Sequence, residues 1–136
     1  MAKEIGLWID RTKAVIVSIY RRRVEIKQIE SGMGKRIRYS GAPRSKSPYS
    51  AQYHQGDDQL DKKYFQQVNK YYSQVLLHLH RAENVLIFGP GEAKRELQKR
   101  IVRAKLPVRV VGIETADKMT QRQIAARVRK YFQKAA

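Results

Sequence analysis

Apolar residues follow two rhythms along this chain, and the change from one to the other divides it roughly in half. Up to residue 29 they fall in short, β-branched runs. Ile5-Gly6-Leu7-Trp8-Ile9 is the first run and Ala14-Val15-Ile16-Val17-Ser18-Ile19-Tyr20 the second, with Asp10-Arg11-Thr12-Lys13 supplying turn chemistry between them. Val24-Glu25-Ile26-Lys27-Gln28-Ile29 has apolar residues at 24, 26 and 29, the spacing of a half-buried strand with one irregularity. Gly32-Met33-Gly34 marks a turn, and Lys35 to Tyr39 reads as one more short strand. The first forty residues therefore predict an antiparallel meander.

From Ser40 to Gly56 periodicity disappears, and Ser, Gly, Pro, Tyr and basic residues dominate. A loop this long in so small a domain is usually functional or disordered. Helical spacing begins after Asp57-Asp58, either of which suits a helix N-terminus. Tyr64, Phe65, Val68, Tyr72, Val75, Leu76 and Leu79 then recur mostly at steps of three and four, a stripe on a helix of roughly 20 residues. Asn84-Val85-Leu86-Ile87-Phe88 is a short apolar strand stopped by Gly89-Pro90-Gly91. A second helix buries Ala93, Leu97, Ile101 and Ala104, and Val108 to Ile113 is the next strand. Thr120 with Gln123 three places on matches a capping box, opening a last helix with Ile124, Val128 and Phe132 on its inner side.

The predicted order is β-β-β-α-β-α-β-α, an α/β domain. Its strand–helix–strand–helix half requires parallel strands with helices covering the sheet. A meander leading into that half gives a ribonuclease-H-like mixed sheet of about five strands. A length of 136 residues suits one domain over 1–136, with a long basic loop at about 40–57.

Charge changes the picture more than composition does. Lys and Arg number 29 against 12 acids, a net charge of +17. That surplus opposes compaction, because like charges repel, so a polyanionic partner is the simplest reason for it. No apolar run reaches the 18 to 20 or so residues of a membrane span, and Met1-Ala2-Lys3-Glu4-Ile5 does not begin a secretory leader. The absence of cysteine excludes disulfides, thiolate metal sites and Cys nucleophiles. A cytoplasmic protein without a cofactor is expected. An anionic membrane is the last-ranked partner, since the last helix needs its modest apolar stripe for the core.

Basic residues interleaved with rings carry the binding reading. Lys35, Arg36, Arg38, Arg44, Lys46, Tyr49, Tyr53 and His54 combine phosphate-neutralising charge with aromatic faces on which unpaired bases stack. The last helix region adds Lys118, Arg122, Arg127, Arg129, Lys130 and Lys134 with no acid after Lys118. The Gly89-Pro90-Gly91 turn has two readings. Either its helix start cradles a phosphate, with Lys94 and Arg95 one turn in, or it is simply a tight strand-to-helix turn. It lacks the spacing of a Walker A loop. Asp10, Glu114 and Asp117 follow strands and are candidate metal-holding acids, the alternative being that Asp10 and Asp117 are turn and helix-entry residues. His78 and His80 read as helix surface, two apart and facing different sides. No metal site is expected.

Three segments carry a family resemblance. Asn84-Val-Leu-Ile-Phe-Gly-Pro-Gly-Glu-Ala-Lys-Arg-Glu-Leu97 resembles the strand–Gly-Pro-Gly–helix segment in the central domain of archaeal and eukaryotic class-one peptide-chain release factors and Pelota. It resembles still more closely the stand-alone bacterial relatives of that domain, the translational machinery proteins. Val111-Gly-Ile-Glu-Thr-Ala-Asp-Lys-Met-Thr-Gln-Arg-Gln123 and the opening Leu7-Trp8-Ile9-Asp10-Arg11 with Ala14 are similar too. The resemblance implies a ribonuclease-H-like fold and a ribosomal or tRNA partner. In release factors the loop between the third strand and the long helix bears a Gly-Gly-Gln tip that promotes peptidyl-tRNA hydrolysis. Ser40–Gly56 occupies that place here, but the chain contains no Gly-Gly-Gln, and no decoding domain is expected. Gln52 and Gln55 stand without the paired glycines that let backbone approach a substrate closely.

The expectation is thus an RNA-binding, ribosome-associated translation factor of the hibernation or rescue type, bound to rRNA or tRNA. Its predicted contacts are Lys35, Arg36, Arg38, Arg44, Lys46, Tyr49, Tyr53, His54, Gln55, Lys94, Arg95, Arg122, Arg129 and Lys130. The alternative is a peptidyl-tRNA or tRNA hydrolase or nuclease using His54, Gln55 or Asp10.

Overall fold

The apolar runs Ile5–Ile9 and Val85–Phe88 become two adjacent interior strands of one sheet. In the computed structural model, which describes residues 3–32 and 50–135 and the side chains of 3–32 and 62–133, β1 spans Glu4–Ile9 and is buried from Ile5 onward. β2 (Lys13–Tyr20) and β3 (Arg23–Glu30) complete the meander. The long helix α1 (Ser50–Leu77) follows, then β4 (Asn84–Gly89), α2 (Ala93–Arg103), β5 (Arg109–Thr115) and α3 (Gln121–Ala135).

The strands form one sheet in the order β3-β2-β1-β4-β5. β1 pairs antiparallel with β2 and parallel with β4, and β4 pairs parallel with β5. This is the mixed α/β sheet with three packed helices that the sequence predicts. Strands buried on both faces need no polar alternation, which explains why β1 and β4 read as nearly continuous apolar runs. On one face Ile5, Leu7, Ile9, Ile16, Val85 and Ile87 meet Tyr71, Val75 and Leu79 of the α1 region and Leu97 and Ile101 of α2. On the other, Trp8, Val15, Val17, Leu86 and Phe88 meet Ile124, Val128 and Phe132 of α3. Among the described residues no helix is long and apolar enough to cross a membrane.

Several expectations are corrected. α1 begins at Ser50, seven residues before Asp57, so residues 50–56 are helical where a loop was expected. Ser-Ala-Gln-Tyr-His-Gln is a sequence a helix accepts, and Gly56 costs only about 1 kcal/mol relative to alanine inside one. Residues 40–49, and the short strand expected at Lys35–Tyr39, lie outside the described residues. Phe65 is 63% exposed, and its place in the core is taken by Tyr71, 1% exposed, whose hydroxyl donates to the Asp10 carbonyl at 2.9 Å. Burial pushes that phenol well above its usual range. Ala104 is exposed and caps the end of α2 instead of packing beneath it.

β3 pairs with β2 without a bulge, from Lys13↔Glu30 to Tyr20↔Arg23. The spacing of 24, 26 and 29 therefore reflects two faces, not an irregularity. Ile29 lies opposite Ala14 and packs on the α1 side, whereas Val24 and Ile26 lie opposite Ile19 and Val17 and stay 40% and 41% exposed. The register shift is instead in β4–β5, between Val85 and Leu86.

The capping box is formed as expected. The Gln123 amide N–H donates to Thr120 Oγ1 at 3.2 Å, and the Thr120 N–H donates to Gln123 Oε1 at 2.9 Å.

Candidate nucleic-acid interface

The cation surplus meets little internal compensation. Among the described residues, two ion pairs are present, Arg100 with Glu96 at 3.0 Å and Arg127 with Glu114 at 2.8 Å. Arg127 also lies over the Phe88 ring at 5.2 Å. One cation of the last helix is thus held against the sheet. Arg122, Arg129 and Lys130 are exposed on α3, whose Ile124, Val128 and Phe132 are buried against the sheet. Seven residues, or roughly 10 Å of helix rise, separate Arg122 from Arg129 on the same side.

Arg95 is exposed in the first turn of α2, on the other face of the sheet from α3. Lys94 is only 4% exposed, and its ammonium donates to the Gly91 carbonyl at 2.5 Å. Here the Gly89-Pro90-Gly91 turn takes up the lysine that the phosphate-cradle reading would have used. Lys35, Arg36, Arg38, Arg44, Lys46 and Tyr49 lie outside the described residues. Tyr53, His54 and Gln55 fall in the first two turns of α1, a helix of 28 residues. Among the described side chains Tyr64 is the first of α1 to pack on the core, and fourteen residues of helix backbone, about 21 Å, precede it.

The candidate acids serve the fold. Asp10 Oδ1 accepts from the backbone N–H groups of Thr12 and Lys13, each at 2.8 Å, and from the Thr12 hydroxyl at 2.9 Å. That arrangement is an Asx turn closing the first hairpin. Asp117 presents its carbonyl to Trp8 Nε1 at 3.1 Å, and Glu114 is engaged by Arg127. Among the described residues no three His, Asp or Glu side chains gather as metal ligands. A turn role and a catalytic role for Asp10 diverge under substitution. Asp10→Asn retains an Oδ1 acceptor and is expected to melt close to the parent, whereas Asp10→Ala is expected to lose about 1–2 kcal/mol in denaturant unfolding. A metal-binding carboxylate would not tolerate the amide.

His78 and His80 stand just past the end of α1, in the turn leading to β4, rather than on the helix itself. Burial, then the charges of Lys27 and Lys3, keep the His78 imidazole below its ordinary pKa.

Three consecutive arginines escaped the sequence reading. Arg21 and Arg22 form the β2–β3 turn and Arg23 opens β3, all exposed. Lys3 and Arg81 line a groove of about 460 Å³ with Arg23. The signal was the Arg-Arg-Arg run between two strand patterns, at a place where hairpins usually carry Asn-Gly.

The sequence matches no protein-family model and no curated protein. Among solved structures, the Pelota protein of Thermoplasma acidophilum is similar to this chain with a TM-score of 0.56, at 15% identity over 88% of the chain. The archaeal translation termination factor aRF1 aligns with a TM-score of 0.46 at 16% identity over 97%, and Archaeoglobus fulgidus Pelota with 0.46 at 12% over 99%. The chain spans 30%, 39% and 35% of those three proteins' lengths, respectively. At such identity the likeness is one of fold: this chain is built as a stretch of Pelota is built.

Proposed function

We propose that this protein is an RNA-binding, ribosome-associated translation factor of the hibernation or rescue type. The observation that carries the reading is the +17 charge combined with so few ion pairs among the described residues, where cations on both helical faces meet solvent. Cations held apart from carboxylates repel one another, and phosphates relieve that repulsion while releasing counterions. RNA is favoured over other polyanions by the resemblance of the Asn84–Leu97 and Val111–Gln123 segments to release-factor central domains, and by the shared fold with Pelota. In this proposal Arg122, Arg129 and Lys130 hold backbone phosphates, and the 35–55 stretch enters an RNA-lined cavity. Arg95 adds a contact from the α2 side, while Lys94 is committed to the Gly91 carbonyl.

The test is sedimentation of the full chain with purified ribosomes through a sucrose cushion. Cosedimentation is expected at low salt and should fall steeply as salt rises. Reversing Arg122, Arg129 and Lys130 to Glu together is expected to weaken association at least tenfold, and to flatten the salt slope by about two to three. Protein that stays in the supernatant at 50 mM salt or so would remove the proposal.

A further inference from the structure

We infer that the β2–β3 hairpin tip is a second RNA-phosphate contact, at the opposite end of β3 from Glu30, formed by Arg21, Arg22 and Arg23 with Lys3, Arg81 and Arg129. The topology brings these six together. β2 ends beside the start of β1, at Ile19↔Glu4, and β4 starts on the other side of β1, at Asn84↔Glu4. Lys3 therefore precedes β1, and Arg81 precedes β4, at the end of the sheet where the hairpin turns. α3 runs back toward the same end. Two grooves flank the hairpin there, one lined by Lys3, Arg23 and Arg81, the other by Arg22, Arg129 and Phe132. Cations thus face both sides of one two-stranded tip.

Their chemistry is uncommitted. Glu25 lines the first groove and Glu4 the second, yet among the described residues no carboxylate lies within 4.0 Å of any of the six cations. Arg21 lies over the half-exposed Tyr20 ring at 5.2 Å, which holds its guanidinium at the tip. The turn itself is costly for these residues. Arg21 has φ 50° and Arg22 φ 68°, the left-handed pair of a type I′ hairpin, for which Asn-Gly is the least strained choice. Arginine there adds nothing to the turn and places two planar, bidentate phosphate donors at its apex. A two-stranded ribbon with arginines at its tip fits phosphates across a groove of a folded RNA.

The inference rests on the RNA-binding reading above, and the experiment separates the two. Arg21→Asn with Arg22→Gly gives the turn its preferred residues, and Arg23→Gln removes the third charge. The triple variant is expected to melt at or above the parent temperature. It should bind a 20-base-pair or so RNA duplex, and purified ribosomes, about tenfold more weakly, with the salt slope reduced by about two. Arg81→Gln, outside the turn, should weaken binding in the same direction. Unchanged affinity and slope in the triple variant, while Arg122→Gln with Lys130→Gln weakens binding, would overturn the hairpin contact and leave RNA binding standing. A parent protein that binds neither probe would overturn both. Dependence of phosphatidylserine-vesicle binding, but not RNA binding, on the three arginines would overturn it in favour of a membrane.

Discussion

Gly89→Ala is expected to unfold the protein or to lower its melting temperature by more than about 10 °C, equivalent to roughly 3 kcal/mol or more for a domain of this size. Gly89 ends β4 with φ +149°, and a Cβ placed there would come within 3.0 Å of the Ile9 carbonyl oxygen on β1. The obstacle is backbone on a paired central strand, so no side chain can turn aside to admit the methyl. Relief would require β1 and β4 to part at their shared end. That same end carries the Ala116 N–H donating to the Gly89 carbonyl at 3.1 Å, and Asp10 with its turn. Gly91, two residues on, is the internal control. It has φ +66°, and a methyl group there would meet nothing within 4 Å, so Gly91→Ala should cost only about 1 kcal/mol from backbone strain. Thermal melts of the two variants rank the positions. Equal, small shifts would mean that the close approach at Gly89 is not present in solution. The same comparison bears on function: the Gly-Pro-Gly motif is explained by the passage of β4 past β1 and by closure through Lys94, without invoking a bound phosphate.

How much of this was readable in advance follows from what each signal depends on. β1 and β4 were legible because strands covered on both faces must be apolar throughout, whatever their partners. The capping box at Thr120 and Gln123 was legible because its two hydrogen bonds join residues three apart. Phe65 and Tyr71 were not, since 64, 65, 68, 71, 72 and 75 admit two overlapping stripes, and only the position of β3 and α2 decides which is covered. Val24 and Ile26 look like core residues by type, but they sit on an edge strand that α3 does not cover. The start of α1 was hidden because Gly56, Asp57 and Asp58 imitate a helix boundary inside a helix. The candidate site was less legible still. With 29 cations in the chain, a run of arginines stands out less than an aromatic-rich stretch, and which cations share an end of the sheet is a property of strand order alone. Lys94 shows the reverse error, for its place one turn into a helix suggested a ligand contact, whereas its burial gives the ammonium a backbone carbonyl instead.

The position of α3, and with it the outward display of Arg122, Arg129 and Lys130, depends on a single missing side chain. Gly6 lies between Val17 on β2 and Leu86 on β4, two residues before Trp8 on the same face. These neighbours leave a hollow floored by bare backbone, and Val128 fills it. A Cβ on Gly6 would fall within 3.0 Å of both Val128 methyl carbons and 3.0 Å from its Cβ. Valine on a helix has essentially one χ1 rotamer, so it cannot swing clear, and the helix must lift from the sheet. Gly6→Ala is therefore expected to destabilise by about 2–3 kcal/mol, despite alanine's better fit to a strand. Val128→Ala alone should cost about 2–3 kcal/mol through lost burial and the cavity it leaves. Together the two changes exchange knob and hole, one methyl now standing where two had been. The double variant should accordingly be more stable than the sum of the single losses by at least 1 kcal/mol or so in a denaturant-unfolding cycle. Strict additivity would place Val128 away from Gly6 and would remove the reason for a glycine in the middle of a strand buried on both faces.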